Sequence, residues 1–438
     1  MSLAGFISLL RKPSTRKLLE SVVSLYGVQM GRKLIPLITI PYLTRVLGNV
    51  EWGKVVFVTA AAELLVIIIE FGFNLSATRE VARNRESKEA CGEVMSGVLG
   101  AQFLLALVGV TLAALIYQWI PMLNTNRDLV VGGLIYAVAQ GISPVWFFQG
   151  LERMKLSSTI EISGKVAALA GMFVFVHSAA DAWKWMALCG VAPAAGAVIA
   201  FTLAIRTYPL RVPGIENIQK ALHTGLPRFV FRSAESLYGV GNAFLLGLFA
   251  PPELVGYFGL AEKISKAAYG LLLPVRDSIY PRLSNLAKGG LDMTAPLARI
   301  GTMVMVGGGL VVSAGLYVGA PFIMQVMQKQ PVQAAVDVMR ILSVIPFLLS
   351  ISTSAGMQWL LPFGQDAVIN RVIIVAGLIN VCLSLVLARH YQHIGMAWAV
   401  TISEVFVAVA MSAAAWRMVR DPGQEHSLPK QNPAVVGS

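Results

Sequence analysis

LPRFVFRSAESLYGVGNAFLLGLFAPPELVGYFGLAEKISKAAYGLLLPVRDSIYPR, residues 226–282, reads as two long apolar helices with ionised side chains set among leucines, valines and phenylalanines. Arg228, Arg232, Glu235, Gly239 and Asn242 recur at spacings of three and four, which predicts one helical face. Glu262, Lys266, Tyr269, Asp277 and Tyr280 trace a similar stripe on the second helix. On a helix that crosses a bilayer, a charge at the centre costs about 2.5–3.5 kcal/mol even on lenient insertion scales. Several such charges cannot all face lipid. They are expected to face one another or a wet, cationic interior.

The rest of the chain supplies the bilayer context. Of its 438 residues, 56% are hydrophobic and only 13% charged, where a soluble domain carries about 25% charged residues. Apolar runs recur from end to end, and about 20 such residues suffice to cross the hydrocarbon core. The fold class expected is all-α and integral to the membrane. About twelve transmembrane helices are read at 22–43, 53–73, 94–118, 129–148, 158–176, 185–205, 226–249, 254–280, 300–326, 336–361, 367–388 and 395–416. The polar gaps between them are too short for a separate soluble domain.

The net charge of +12 does not point to nucleic acid, because the basic residues sit in short loops rather than in a patch or tail. Arg11, Lys12, Arg16 and Lys17 precede the first helix, Arg79, Arg83, Arg85 and Lys88 follow the second, and Arg417 and Arg420 follow the last. The opposite side carries roughly one basic residue per loop. The positive-inside rule then places both termini in the cytoplasm. Cys91, Cys189 and Cys382 are an odd number, far apart and without metal-ligand spacing. Residues 3–10 precede a basic cluster, the wrong order for a cleaved signal, and could lie on the membrane surface.

The longest cytoplasmic connection falls near the midpoint and predicts two related bundles. The expected organisation is a cytoplasmic segment 1–21, a first six-helix lobe 22–206, a linker 207–225, a second six-helix lobe 226–416 and a cytoplasmic tail 417–438. Gly53 and Gly256 occupy matching places after the first helix of each half, a trace of internal similarity.

No catalytic signature, phosphate-binding glycine loop or metal-ligand cluster is present in the sequence, so neither an enzyme nor a cofactor is expected. The embedded charges carry the functional reading. Glu161 and Lys165, four apart, are expected to pair with each other. Lys54, Arg228 and Arg276 lie near helix ends, where long side chains snorkel. Arg32, Arg232 and Lys266, with Lys33 and Lys263 in reserve, are the candidates to draw an anionic group into the cavity. Arginine suits bidentate contact with phosphate oxygens and lysine acts as a point charge. Glu63, Glu70, Glu235 and Glu404 are candidates for ion coupling, since a buried carboxylate can take up and release a proton. A salt bridge to Arg228 or Arg232 accounts for Glu235 equally well.

Three stretches resemble the Wzx-type polysaccharide flippases of the multidrug/oligosaccharidyl-lipid/polysaccharide exporter superfamily. KLIPLITIPYLTRVLGNVEWGKVVFV, residues 33–58, matches the family's first turn at Pro41, Tyr42, Leu43, Arg45, Leu47, Gly48, Trp52 and Gly53. EFGFNLSATREVARNRES, residues 70–87, and SPVWFFQGLERMK, residues 143–155, resemble its next two motifs, in order. The second half resembles the family in architecture more than in motif. The resemblance implies two lobes around a central cavity and passage of an undecaprenyl-pyrophosphate-linked oligosaccharide to the periplasmic leaflet of the bacterial inner membrane. It also implies ion coupling, with a polysaccharide polymerase and a chain-length regulator as partners. The alternatives are a peptidoglycan-precursor flippase, a multidrug exporter of the same superfamily and a membrane polysaccharide polymerase. Cationic drugs fit a cationic lining poorly, and the short external loops offer a polymerase no catalytic platform.

Overall fold

The computed structural model describes residues 13–210, 212–328 and 332–420, and among these the regular structure is helical throughout. Eight helical stretches are long and apolar enough to cross a membrane. Two of them, Ile38–Arg83 and Asp366–Arg420, are each broken inside a long helix, at Gly48 and at Gln392, and count as two crossings apiece. The charged helices of the opening stretch, Ile215–Gly239 and Pro252–Tyr269, are not among the eight. Continued by Gly241–Gly247 and Leu273–Leu286, they complete twelve crossings among the described residues. Large apolar side chains such as Phe103, Val311, Val318 and Phe322 are well exposed. For this chain the surrounding solvent is hydrocarbon, so they need no cover.

Most breaks between helices are tighter than the sequence suggests. The loop expected at 44–52 is helical apart from Gly48, where φ of 75° reverses the chain within the helix Pro13–Glu70. Only glycine takes that conformation without a steric penalty. The loop expected at 389–394 likewise shrinks to Gln392, a non-glycine residue at φ 49°. The expected helix 129–148 divides into Arg127–Gly141 and Val145–Gly150 because Pro144 withholds an N–H. The connection read at 207–225 is already helical from Ile215 onward.

The expected stripe from Arg228 to Asn242 does not survive as one helical face. Ile215–Gly239 ends before Val240, and Asn242 stands on the separate helix Gly241–Gly247. The second stripe is interrupted in the same way by the tight turn Gly270–Leu272.

The described residues divide into two compact units. One comprises those up to Gly48 together with Ala61–Val230; the other comprises Asn49–Ala60 and those from Phe231 onward. The helix after Gly48 therefore begins in the second unit and ends in the first, and Ile215–Gly239 runs from the first into the second.

The motifs at 70–87 and 143–155 meet in the first unit. Phe71 and Gly72 are both left-handed and end the long helix, and Phe71 stacks on Phe229 at 4.5 Å between ring centres. A Cβ on Gly72 would lie 2.6 Å from Cβ of Arg228, so the site needs glycine for space as well as for φ. The Thr78 hydroxyl donates to the Trp146 carbonyl at 3.0 Å, and Arg85 bonds Glu152 at 2.8 Å. Trp146 and Phe147 are fully buried, with Phe147 edge-on to Tyr208 at 5.1 Å. These motifs build a packed knot.

Candidate functional site

In the second unit, Asn49–Ala60 and Pro252–Tyr269 run side by side in the same direction. Gly53 lies opposite Gly256, and Val56 opposite Gly259. Glycines at these positions let the backbones touch: a Cβ on Gly53 would collide with the Pro252 carbonyl, and one on Gly256 with the Asn49 carbonyl. The side chains of Asn49 and Tyr257 meet at 3.5 Å beside them. This seam fixes Trp52, which is buried, against the second helix.

The two lysines of Pro252–Tyr269 have different surroundings. Lys266 donates to Glu262 at 2.8 Å and to the Gly239 carbonyl at 2.6 Å. Gly239 ends its helix, so its carbonyl lacks an intrahelical donor, and Lys266 supplies one. Glu262 is buried and also accepts from Asn242 at 3.1 Å. Lys263 is exposed, and its Nζ sits 5.2 Å from the centre of the Trp52 ring. By the register of the seam its side chain must fold back along the helix to get there, the direction in which helical side chains lean.

The candidate carboxylates fall in separate places. Glu63 and Glu70, both half-buried in the first unit, act electrostatically on Tyr136 of Arg127–Gly141. Glu404 is buried in the second unit and acts on Tyr269, whose hydroxyl meets that of Thr353 at 2.6 Å. Arg276 also lies in the field of Tyr269 and is bonded to its neighbour Asp277 at 2.7 Å. Arg232 is exposed on Ile215–Gly239. The side chains of Arg32, Lys33 and Glu235 lie outside the described residues, as do residues 3–10.

The structure therefore joins Lys266 to Glu262 and through it to Asn242, and separately sets Lys263 against Trp52. Sequence reasoning missed Trp52, whose role depends on a helix pairing across the midpoint; the shared Gly53 and Gly256 pattern was the signal that could have found it. It also missed the Asn242–Glu262 bond, which the helix break at Val240 makes possible.

Comparison with known proteins agrees with this architecture. The profile of the family described as "Polysaccharide biosynthesis protein" matches residues 18–287. A protein of Escherichia coli (strain K12) named "Putative O-antigen transporter" is 29% identical over 403 residues, covering 90% of this chain and 95% of that protein. A protein of the same name from Shigella dysenteriae is 26% identical, covering 90% and 98%. Among solved structures, "Lipid II flippase MurJ, inward closed conformation" superposes with a TM-score of 0.72 at 12% identity, covering 90% of this chain and 87% of that one. An inward-facing multidrug resistance MATE family transporter of the MOP superfamily gives 0.67 at 14% identity, covering 89% and 98%. These two likenesses show the fold, an all-helical membrane architecture. With more than half its length matched, the chain belongs to the polysaccharide biosynthesis protein family.

Proposed function

We propose that this protein is a flippase. It carries an oligosaccharide linked to undecaprenyl pyrophosphate from the cytoplasmic to the periplasmic leaflet of the bacterial inner membrane, opening alternately to each side. The observation that carries this reading is Lys263, an exposed ammonium on a membrane helix whose contact is an aromatic ring. A cation so placed attracts a diphosphate, and the lipid tail can remain in the bilayer while the polar head crosses. Relatives named for O-antigen transport favour a polysaccharide cargo over a drug.

In this reading Arg232, Arg32, Lys33 and Lys266 add to the positive potential, and Glu63, Glu70, Glu235 and Glu404 couple transport to an ion gradient. The protein has no catalytic step of its own. Lobes at 22–206 and 226–416, joined by 207–225, move against each other, and the segments 1–21 and 417–438 both lie in the cytoplasm. A polymerase and a chain-length regulator receive the cargo. The test is a deletion strain complemented with wild type or with Lys263→Gln. Surface polymer and the leaflet location of the lipid-linked repeat unit are then measured. Wild type should restore polymer, and the variant should leave repeat units on the cytoplasmic side. Repeat units that reach the periplasm unpolymerised in the uncomplemented strain would instead mark a polymerase.

A further inference from the structure

Every carboxylate on the paired segments Asn49–Ala60 and Pro252–Tyr269 is already engaged. Glu51 is bonded to Lys54 at 2.6 Å, Glu253 accepts from the Tyr257 hydroxyl, and Glu262 accepts from Lys266 and Asn242. Among the described residues, Lys263 rests on the Trp52 ring alone. Trp52 cannot stack on a sugar, because it is only 3% exposed. It is held in place by the backbone contact of Gly53 with Gly256.

We infer that Trp52 is a positioning residue for substrate: its ring holds the Lys263 ammonium in place without cancelling the charge. A carboxylate in the same position would fix the lysine equally well but would leave the diphosphate a neutral pair. An indole attracts the cation through its quadrupole and is the strongest of the aromatic side chains at this. The cation therefore meets its ligand with full charge and little conformational freedom left to lose. This inference rests on the flippase reading, in which Lys263 contacts the diphosphate.

The test uses full-length protein in nanodiscs and undecaprenyl pyrophosphate without sugars as the probe. Binding is titrated for wild type, Trp52→Leu, Trp52→Phe, Lys263→Gln and the double variant Trp52→Leu/Lys263→Gln. Trp52→Leu should bind about three- to fivefold more weakly, the size of an exposed cation–π contact. Trp52→Phe should recover part of that loss, and the double variant should be no weaker than Lys263→Gln alone. Wild-type affinity in Trp52→Leu, or losses that simply add in the double variant, would overturn the positioning role. Unchanged affinity in Lys263→Gln would instead overturn the anion site and, with it, the inference. If Trp52→Leu does not accumulate in the membrane, Trp52→Tyr and Trp52→Phe decide the matter. Affinity should fall from Trp to Tyr to Phe, and equal affinities would sink the proposal.

Discussion

Gly53 and Gly256 meet backbone to backbone: a Cβ added to Gly256 would stand 3.3 Å from Cα of Gly53, and one added to Gly53 would stand 3.0 Å from the Gly256 amide nitrogen. Neither neighbour is a flexible side-chain end that can swing aside. Gly53→Ala should therefore force the two helices apart and cost about 1–3 kcal/mol, as overpacking does. Thermal unfolding of the detergent-solubilised protein checks this, with a lowered midpoint expected. An unchanged midpoint would mean that the seam is looser than drawn.

One turn deeper, Cβ of Val56 would lie 3.4 Å from a Cβ on Gly259. Disulfides span about 3.5–4.5 Å between Cβ atoms, so Val56→Cys with Gly259→Cys should cross-link on mild oxidation. The background should lack Cys91, Cys189 and Cys382. In the proposed alternating access, residues 49–60 belong to the lobe 22–206 and their seam partner to the lobe 226–416, so the proposed movement of the lobes would work on this seam. Oxidation should halt movement of repeat units to the periplasm, and a reductant should restore it. Undiminished transport by the cross-linked protein would show that the seam stays shut throughout the cycle.

Lys266 and Lys263 should separate by assay. Lys266→Met removes the cation from the buried Glu262, leaving its carboxylate the Asn242 amide alone, and losing a hydrogen bond to a charged group costs about 1.5–3 kcal/mol. Its main effect should be a lower unfolding midpoint. Lys263→Gln removes an exposed charge, so its midpoint should stay near that of wild type while diphosphate binding weakens. Measuring both quantities on both variants checks the division.

Two glycines at positive φ make a further contrast. Gly48, at φ 75°, has nothing within 4 Å of a built Cβ, whereas Gly72, at φ 76°, has Arg228 and Phe229 against it. Gly48, at ψ 171°, lies in a region nearly closed to other residues, so Gly48→Ala should incur that backbone penalty alone, about 1–3 kcal/mol. Gly72, at ψ 9°, is left-handed, and Gly72→Ala should incur about 1–2 kcal/mol for that and about 1–3 kcal/mol more for the clash, and so be the less stable of the two in the same unfolding assay.

The membrane class and the local pairings were legible in the sequence because each depends on neighbours along one chain segment. Glu161 and Lys165 bond at 2.9 Å, as their spacing of four implied. Gly48 and Gln392 show where such reading stops: a one-residue reversal leaves almost no polar gap to mark it. The difference between Lys263 and Lys266 was not legible at all. It depends on a carbonyl freed by the break at Val240 and on a tryptophan from before the midpoint, and neither contact leaves a periodic signal.

Asn49 and Tyr257, in contact at the seam, are 208 residues apart in the chain. During synthesis the glycine face of the early helix must wait, unmatched, until the later helix has been made and inserted. Contacts so distant in sequence are slow to form. A chain cut near its midpoint would thus yield a second half missing part of its own core. The two halves should fold only when expressed in the same cell, each supplying what the other lacks.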